Sequence, residues 1–331
     1  METFMKNLLD DKALSTILGQ DNTKRQLTSA LLMQHNVIIV GPPGVGKTTL
    51  AKNVASLLET KELNDCPYNC DPEDPLCPAC KSKPPKTTKV QGKERFVRVQ
   101  GSPDLTVEDL MGDIDPVKAL EYGPLSIEAF TPGKIFKANN GVLFFDELNR
   151  CPEKLQNSLL QVLQEGIATI GSYDIDLPAN FIFIGTMNPE DSSTERLSDV
   201  FLDRFDVVYM DHPDKLETEK EIVLSKGKGF DLEFPDGLME VMLDFVRQLR
   251  LSDKLEKVPS VRASISLYER SQSNAYMDQR NKVEFKDIKE AVISVLSHRI
   301  SMKPSVKYIQ DPTTFLEKEF ANFMKEKGGD P

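Results

Sequence analysis

The chain has 331 residues, 39% apolar and 28% charged, which is ordinary globular material and excludes the disordered and fibrous classes. Its 41 Lys+Arg against 52 Asp+Glu leave a net charge of −11, which argues against broad binding to nucleic acid or to an anionic membrane surface. No run approaches the roughly 20 apolar residues of a membrane span, and the opening METFMKNLLDDK is too acidic and too short in apolar residues for a secretory signal, so a cytoplasmic protein is expected.

In chain order, VIIV (Val37 to Val40) is a short β-branched run ending at a glycine loop, after which Leu50, Val54, Leu57 and Leu58 recur at helical spacing. The pattern predicts buried strand, loop, helix. A cysteine-rich loop at about 64–82 follows, then a strand at FVRV (Phe96 to Val99). Residues from about 103 to 137 are punctuated by Gly and Pro, which predicts loops or a short hairpin interrupting a helix. VLFF (Val142 to Phe145) predicts another buried strand running into Asp146 and Glu147, and Pro152 opens a helix whose Leu155, Leu159, Val162 and Leu163 share one face. Residues 166–180 predict a β-hairpin turning near Gly171 and Ser172, and FIFI (Phe181 to Ile184) a further strand. Short, non-alternating strands separated by helices indicate an α/β fold with a parallel sheet covered on both faces. Beyond Asp211 to Pro213 the period becomes helical, over 216–225, 236–250, 261–276 and 286–300, with a polar tail. A first domain over 1–211 and a small helical domain over 212–331 are expected.

The segment from Gly41 to Thr48, GPPGVGKT, fits G-x-x-x-x-G-K-[ST] between a strand and a helix, the context a phosphate loop requires. Gly41, Pro42, Gly44, Val45, Gly46, Lys47, Thr48 and Thr49 are the candidate nucleotide-binding residues. Glycine N–H groups curl around phosphate oxygens, Lys47 reaches the terminal phosphates, and the Thr48 hydroxyl can ligate Mg²⁺. At the end of a parallel strand, Asp146 and Glu147 fall on the same sheet edge, Asp146 to hold the Mg²⁺ shell and Glu147 to polarise an attacking water. Asn188 in GTMNP follows another strand, where it either orients that water or forms a turn before Pro189. Cys66, Cys70, Cys77 and Cys80 are spaced to wrap a tetrahedral cation, with a structural Zn²⁺ favoured over an iron–sulfur cluster or unliganded redox thiols. Cys151 lies apart at a helix start, and His35, His212 and His298 form no motif.

GPPGVGKT, VLFFDELNR, FIFIGTMNP and LDRFD, in this order and at these spacings, resemble the AAA+ ATPases, and specifically the MoxR and magnesium-chelatase ATPase-subunit branch. The likeness runs from ILGQDNTKRQL (Ile17 to Leu27) to PSVRASISLYERS (Pro259 to Ser271). It implies a P-loop AAA+ αβα domain with hairpin inserts at about 120–137 and 166–180 and an all-α lid. Asn188 matches the sensor 1 position and Arg204 an arginine finger that acts on the γ-phosphate held by a neighbouring subunit. Arg262 matches sensor 2, in cis or in trans, and Arg150 also recurs in the family. The resemblance further implies ATP and Mg²⁺, a homo-oligomeric ring, hexameric in this family, and a protein partner, often with a von Willebrand A domain, that is remodelled, activated or served in metal insertion. An ATP-driven nucleic-acid motor is the main alternative, opposed by the −11 charge. A non-hydrolysing nucleotide-gated scaffold is another, opposed by the presence of Glu147, Asn188 and Arg204 together.

Overall fold

The computed structural model describes residues 2–83, 85–123, 126–169, 176–189 and 197–327. The apolar runs pair in one parallel sheet made of β1 (Val37–Val40), β2 (Phe96–Gln100), β3 (Gly141–Asp146), β4 (Phe181–Met187) and β5 (Asp206–Tyr209). Their order is β5-β1-β4-β3-β2. Val142, Leu143, Phe144 and Phe145 are fully buried, as consecutive apolar residues must be in a strand covered on both faces. Strand β5 (DVVY) is absent from the sequence reading, because an edge strand of four residues that opens with Asp and exposes Tyr209 carries little apolar signal.

The register sets the site. Gln100 lies opposite Asp146, Gly185 opposite Phe145 and Met187 opposite Val40, so the carboxyl ends of β1 to β4 reach one edge. The helix Lys47–Ser56 leaves that edge after β1 and buries Leu50, Ala51, Val54 and Ala55. The helix Glu153–Glu165 follows β3, with Pro152 at its N-cap, and ends at Gly166 in the left-handed region (φ +65°), as C-terminal glycines commonly do.

Three short antiparallel pairs decorate this unit. Lys61–Asn64 pairs with Thr87–Val90 and carries the cysteine segment between its strands. Gly112–Ile114 pairs with Phe130–Pro132 around a helix Pro116–Tyr122, so pairing starts before the expected residue 120. Ile167–Thr169 pairs with Asp176–Pro178, and the turn expected near Gly171 and Ser172 lies outside the described residues.

The chain divides into two compact units, Met1–Gly41 with Gly46–Met210, and Pro42–Val45 with Asp211–Pro331. The second is built from helices Leu216–Lys226, Asp236–Arg250, Val261–Met277, Phe285–Leu296 and Pro312–Glu326 around its own apolar cluster. It is not purely helical, since Leu255–Lys257 pairs with Ser301–Met302. The helix expected to continue to residue 300 stops at Leu296. The supposed polar tail contains the helix Pro312–Glu326, which buries Phe315, Leu316, Phe320, Phe323 and Met324 among lysines and glutamates.

Candidate active site

The loop after β1 is shaped by backbone constraints. A Cβ on Gly41 would lie 1.9 Å from the Met210 carbonyl oxygen, so no side chain fits there. The Gly41 N–H donates to the Met187 carbonyl at 3.2 Å, tying the start of the loop to the end of β4. Gly44 (φ +84°) and Gly46 (φ +112°) hold conformations that other residues rarely adopt. Lys47 opens the following helix, and its Nζ donates to the Gly41 carbonyl at 2.5 Å. Thr48 is half-buried and Thr49 exposed on the first turn. Glycines at positive φ, a helix N-terminus, a lysine and a hydroxyl are groups that can hold a phosphate and its Mg²⁺, and the residues fit both.

Asp146 ends β3 and Glu147 follows it in the left-handed region, φ 57° and ψ 50°. One buried hydroxyl serves both. Thr186 Oγ1 donates to Asp146 Oδ1 at 2.7 Å and accepts the Glu147 N–H at 3.0 Å. The other Asp146 oxygen, Oδ2, accepts from Arg98 Nη2 at 2.5 Å. Glu147 Oε2 accepts from Gln100 Nε2 at 2.9 Å and lies 3.2 Å from Arg150 Nη1. Arg150 therefore faces an acid of its own chain. Thr186, Gln100 and Arg98 were missed in the sequence. Their signal is a polar residue within or at the carboxyl end of an otherwise apolar strand, GTM in one case and FVRVQ in the other.

Asn188 is half-buried just beyond β4, and its carbonyl accepts from the Asn149 amide at 3.4 Å. Asn149 is itself buried, and its Oδ1 has no partner among the described residues. Arg204 stands on the outside. Phe201 and Phe205 stack at 4.9 Å, with Phe205 also against Phe183, which anchors the LDRFD turn to β4. Arg204, between them in sequence, is exposed and donates to the Val200 carbonyl. The structure brings Asp146, Glu147 and Thr186 into one hydrogen-bonded group and leaves Arg204 outside it.

Arg262 belongs to the second unit, exposed at the start of the helix Val261–Met277 between buried Val261 and Ala263. A buried ion pair fixes that start. Arg250 grips Glu219 with two bonds of 2.7 Å and donates to the Pro259 carbonyl at 2.8 Å, while Ser264 donates to Glu219 at 2.6 Å. Burial alone would raise the Glu219 pKa, but Arg250, Ser264 and Arg247 outweigh it and hold the carboxyl below its usual value. Burial, and next the nearby Arg250, push His212 down to about 4.

Cys66, Cys70, Cys77 and Cys80 lie together on the hairpin loop, whereas Cys151 is buried apart from them, its thiol pushed up to about 11 by burial. Among the described residues no helix is long and apolar enough to cross a membrane.

Three family profiles match the chain: "Magnesium chelatase, subunit ChlI" over residues 13–66, "ATPase family associated with various cellular activities (AAA)" over 80–207, and "AAA lid domain" over 257–317. A magnesium-chelatase subunit ChlI homolog of Methanocaldococcus jannaschii is 28% identical over 319 residues, covering 88% of this chain and 86% of that one. The chloroplastic magnesium-chelatase subunit ChlI of Glycine max is 30% identical over 325 residues, covering 88% and 75%. Among solved structures, one of a complex between the BchI and BchD subunits of magnesium chelatase matches with a TM-score of 0.50 at 21% identity, covering 90% of this chain and 98% of that one. At that identity the match speaks for the fold alone.

Proposed function

Because the chain belongs to the AAA+ ATPases of the magnesium-chelatase ATPase-subunit family and is an ATP-hydrolysing enzyme, we propose that it works as a ring whose active sites are shared between neighbouring copies. In this reading the loop from Gly41 to Thr49 holds the nucleotide phosphates, and Thr48 and Asp146 hold Mg²⁺, which screens the charge of the phosphates when bound. Glu147 orients and accepts a proton from the attacking water, with Asn188 as its second polar contact. The observation that carries the reading is the Thr186 hydroxyl binding both Asp146 and the Glu147 backbone at the edge where the phosphate loop begins. Arg204 is exposed and pairs with no carboxylate among the described residues, which suits a guanidinium offered to the next subunit's γ-phosphate. Arg262 is assigned to sensor 2.

The work of hydrolysis goes to a protein partner, which the ring remodels or activates, in a chaperone-like or metal-insertion assembly. A protein partner is proposed from the MoxR and chelatase likeness, and a von Willebrand A domain is the partner type we expect. A hexamer is the ring size proposed, by the MoxR and chelatase likeness. A cytoplasmic setting, where cysteines stay reduced, is the one proposed.

The test is ATP turnover per subunit against protein concentration. The wild-type rate is expected to rise with concentration, and Glu147→Gln and Arg204→Ala to abolish turnover while retaining ATP binding. Mixing the two variants separates the roles. A shared site regenerates an intact Glu147–Arg204 pair at roughly a quarter of the interfaces in a random ring, whereas two defects within one subunit's own site cannot complement. A mixture as dead as its components would remove Arg204 from the neighbour's site.

A further inference from the structure

Between the strands Lys61–Asn64 and Thr87–Val90 the loop gathers four thiols from two tight turns. Cys66-Pro67-Tyr68-Asn69-Cys70 turns back through Asn69, whose φ is +47°. Cys77-Pro78-Ala79-Cys80 opens a short helix with Cys77 at the N-cap and Pro78 in its first turn. The four Sγ atoms lie within 4.8 Å of one another. Sulfurs at the corners of a tetrahedral zinc shell, with bonds of about 2.3 Å, are about 3.8 Å apart, so contraction by at most about 1 Å completes the shell. An iron–sulfur cluster is several atoms across and holds its cysteines further apart.

Backbone donors already point at the sulfurs. Cys70 N donates to Cys66 Sγ at 3.5 Å, Leu76 N and Cys77 N to Cys70 Sγ at 3.3 and 3.4 Å, and Cys80 N to Cys77 Sγ at 3.4 Å. Such bonds favour anionic sulfur. Cys70, Cys77 and Cys80 are buried and Cys66 half-buried, which leaves little room for the open position a hydrolytic metal needs.

We propose that Cys66, Cys70, Cys77 and Cys80 bind one zinc ion in a closed structural site that fastens this loop to the base of β3. Four Zn–S bonds form, the thiol protons pass to solvent, and no electron is transferred. The loop is docked on the residues just before β3. Asn69 Nδ2 donates to the Lys137 carbonyl at 2.6 Å, Asn140 Nδ2 to the Asn69 carbonyl at 3.0 Å, and Asn139 Nδ2 to the Tyr68 carbonyl at 3.2 Å. The Tyr68 ring sits 5.6 Å from that of Phe136. The ion thus steadies the amino end of the strand whose carboxyl end carries Asp146 and Glu147.

The whole chain, expressed with zinc and purified under reducing conditions without chelator, is assayed for metals and acid-labile sulfide. One zinc per chain is expected, and exchange for cobalt(II) should give the absorption of a tetrahedral thiolate site. Cys77→Ser should lose most of the zinc and Cys151→Ser keep it. Should Cys77→Ser fail to fold, the wild type decides. Stripping its metal with a thiol-directed mercurial followed by a reductant and chelator should lower the melting temperature, and added zinc should restore it. Stoichiometric iron with sulfide, a mass four hydrogens light from two disulfides, or a metal-free chain whose melting ignores zinc and chelator would each overturn the proposal.

Discussion

Thr186→Val tests how the two acids are held. Thr186 is fully buried, and its hydroxyl binds the Asp146 carboxylate at 2.7 Å and the Glu147 N–H at 3.0 Å. Valine keeps the branched shape and removes both bonds. Losing a hydrogen bond to a charged group costs about 1.5–3 kcal/mol, and leaving an amide N–H without a partner about 1–3 kcal/mol. Since the Asp146 side chain is 15% exposed, water recovers part of this, and a net loss of about 2–4 kcal/mol is expected, a fall in melting temperature of roughly 4–16 °C. The catalytic effect is separate. Glu147 sits in a left-handed conformation that costs about 1–3 kcal/mol and persists only because its surroundings hold it, the Thr186 bond among them. A shift of about 1 Å in a catalytic group lowers rate by about 10²-fold. Turnover at saturating ATP should therefore drop about a hundredfold, while nucleotide affinity measured without Mg²⁺, set by a loop the substitution does not touch, stays within about threefold. Thr186→Ser restores the hydroxyl and should recover most of the rate. Steady-state turnover beside binding of a fluorescent nucleotide reads both, and a wild-type kcat in Thr186→Val would refute the bridging role.

The helical unit offers two more tests. Arg250→Ala leaves the Glu219 carboxylate, which is 0% exposed, without its main cation, and should cost about 3–5 kcal/mol in a denaturant titration of the whole chain, where an unchanged midpoint would contradict it. Stability should also fall with acid. His212 is held near pKa 4 in the fold against about 6.5 when unfolded, so the unfolded chain binds more protons in that window and stability is lost from about pH 6.5 downward. Glu219, held below its ordinary value, adds a loss that begins below about pH 4.3 and runs through its lower folded value. Melting curves from pH 7.5 to 4 should show the decline and His212→Gln should flatten its upper part. Identical slopes in both proteins would exclude His212 as the source.

The sheet was legible because VIIV, VLFF and FIFI are short consecutive apolar runs bounded by turn residues, which suits strands covered on both faces. The glycine loop and the acid pair could be placed at strand ends because each follows such a run. What the sequence hid was whatever depends on pairing across strands. Gln100 and Arg98 gain meaning only once β2 is set beside β3, with Gln100 opposite Asp146. Thr186 looks like one polar residue in an apolar run until β4 places its hydroxyl against both acids. The helix Pro312–Glu326 was obscured by its charge, since five buried apolar residues are interspersed with lysines and glutamates.

The strand order explains why one hydroxyl can matter so much. β4 lies between β1, which feeds the phosphate loop, and β3, which ends in the acids, so at about 4.8 Å per strand the two functional ends are separated by about 10 Å. A gap of that width cannot be closed by direct contact between Gly41 and Asp146; it is set by β4, which bonds the loop through the Met187 carbonyl and the acids through Thr186. Any movement of β4 along its axis therefore shifts loop and acids together, whereas movement of β3 alone separates them. The second is the harmful one. The docking of Tyr68 and Asn69 onto Phe136 to Asn140 opposes it from the far end of β3, and this links an otherwise remote cysteine loop to the geometry of the proposed hydrolytic site.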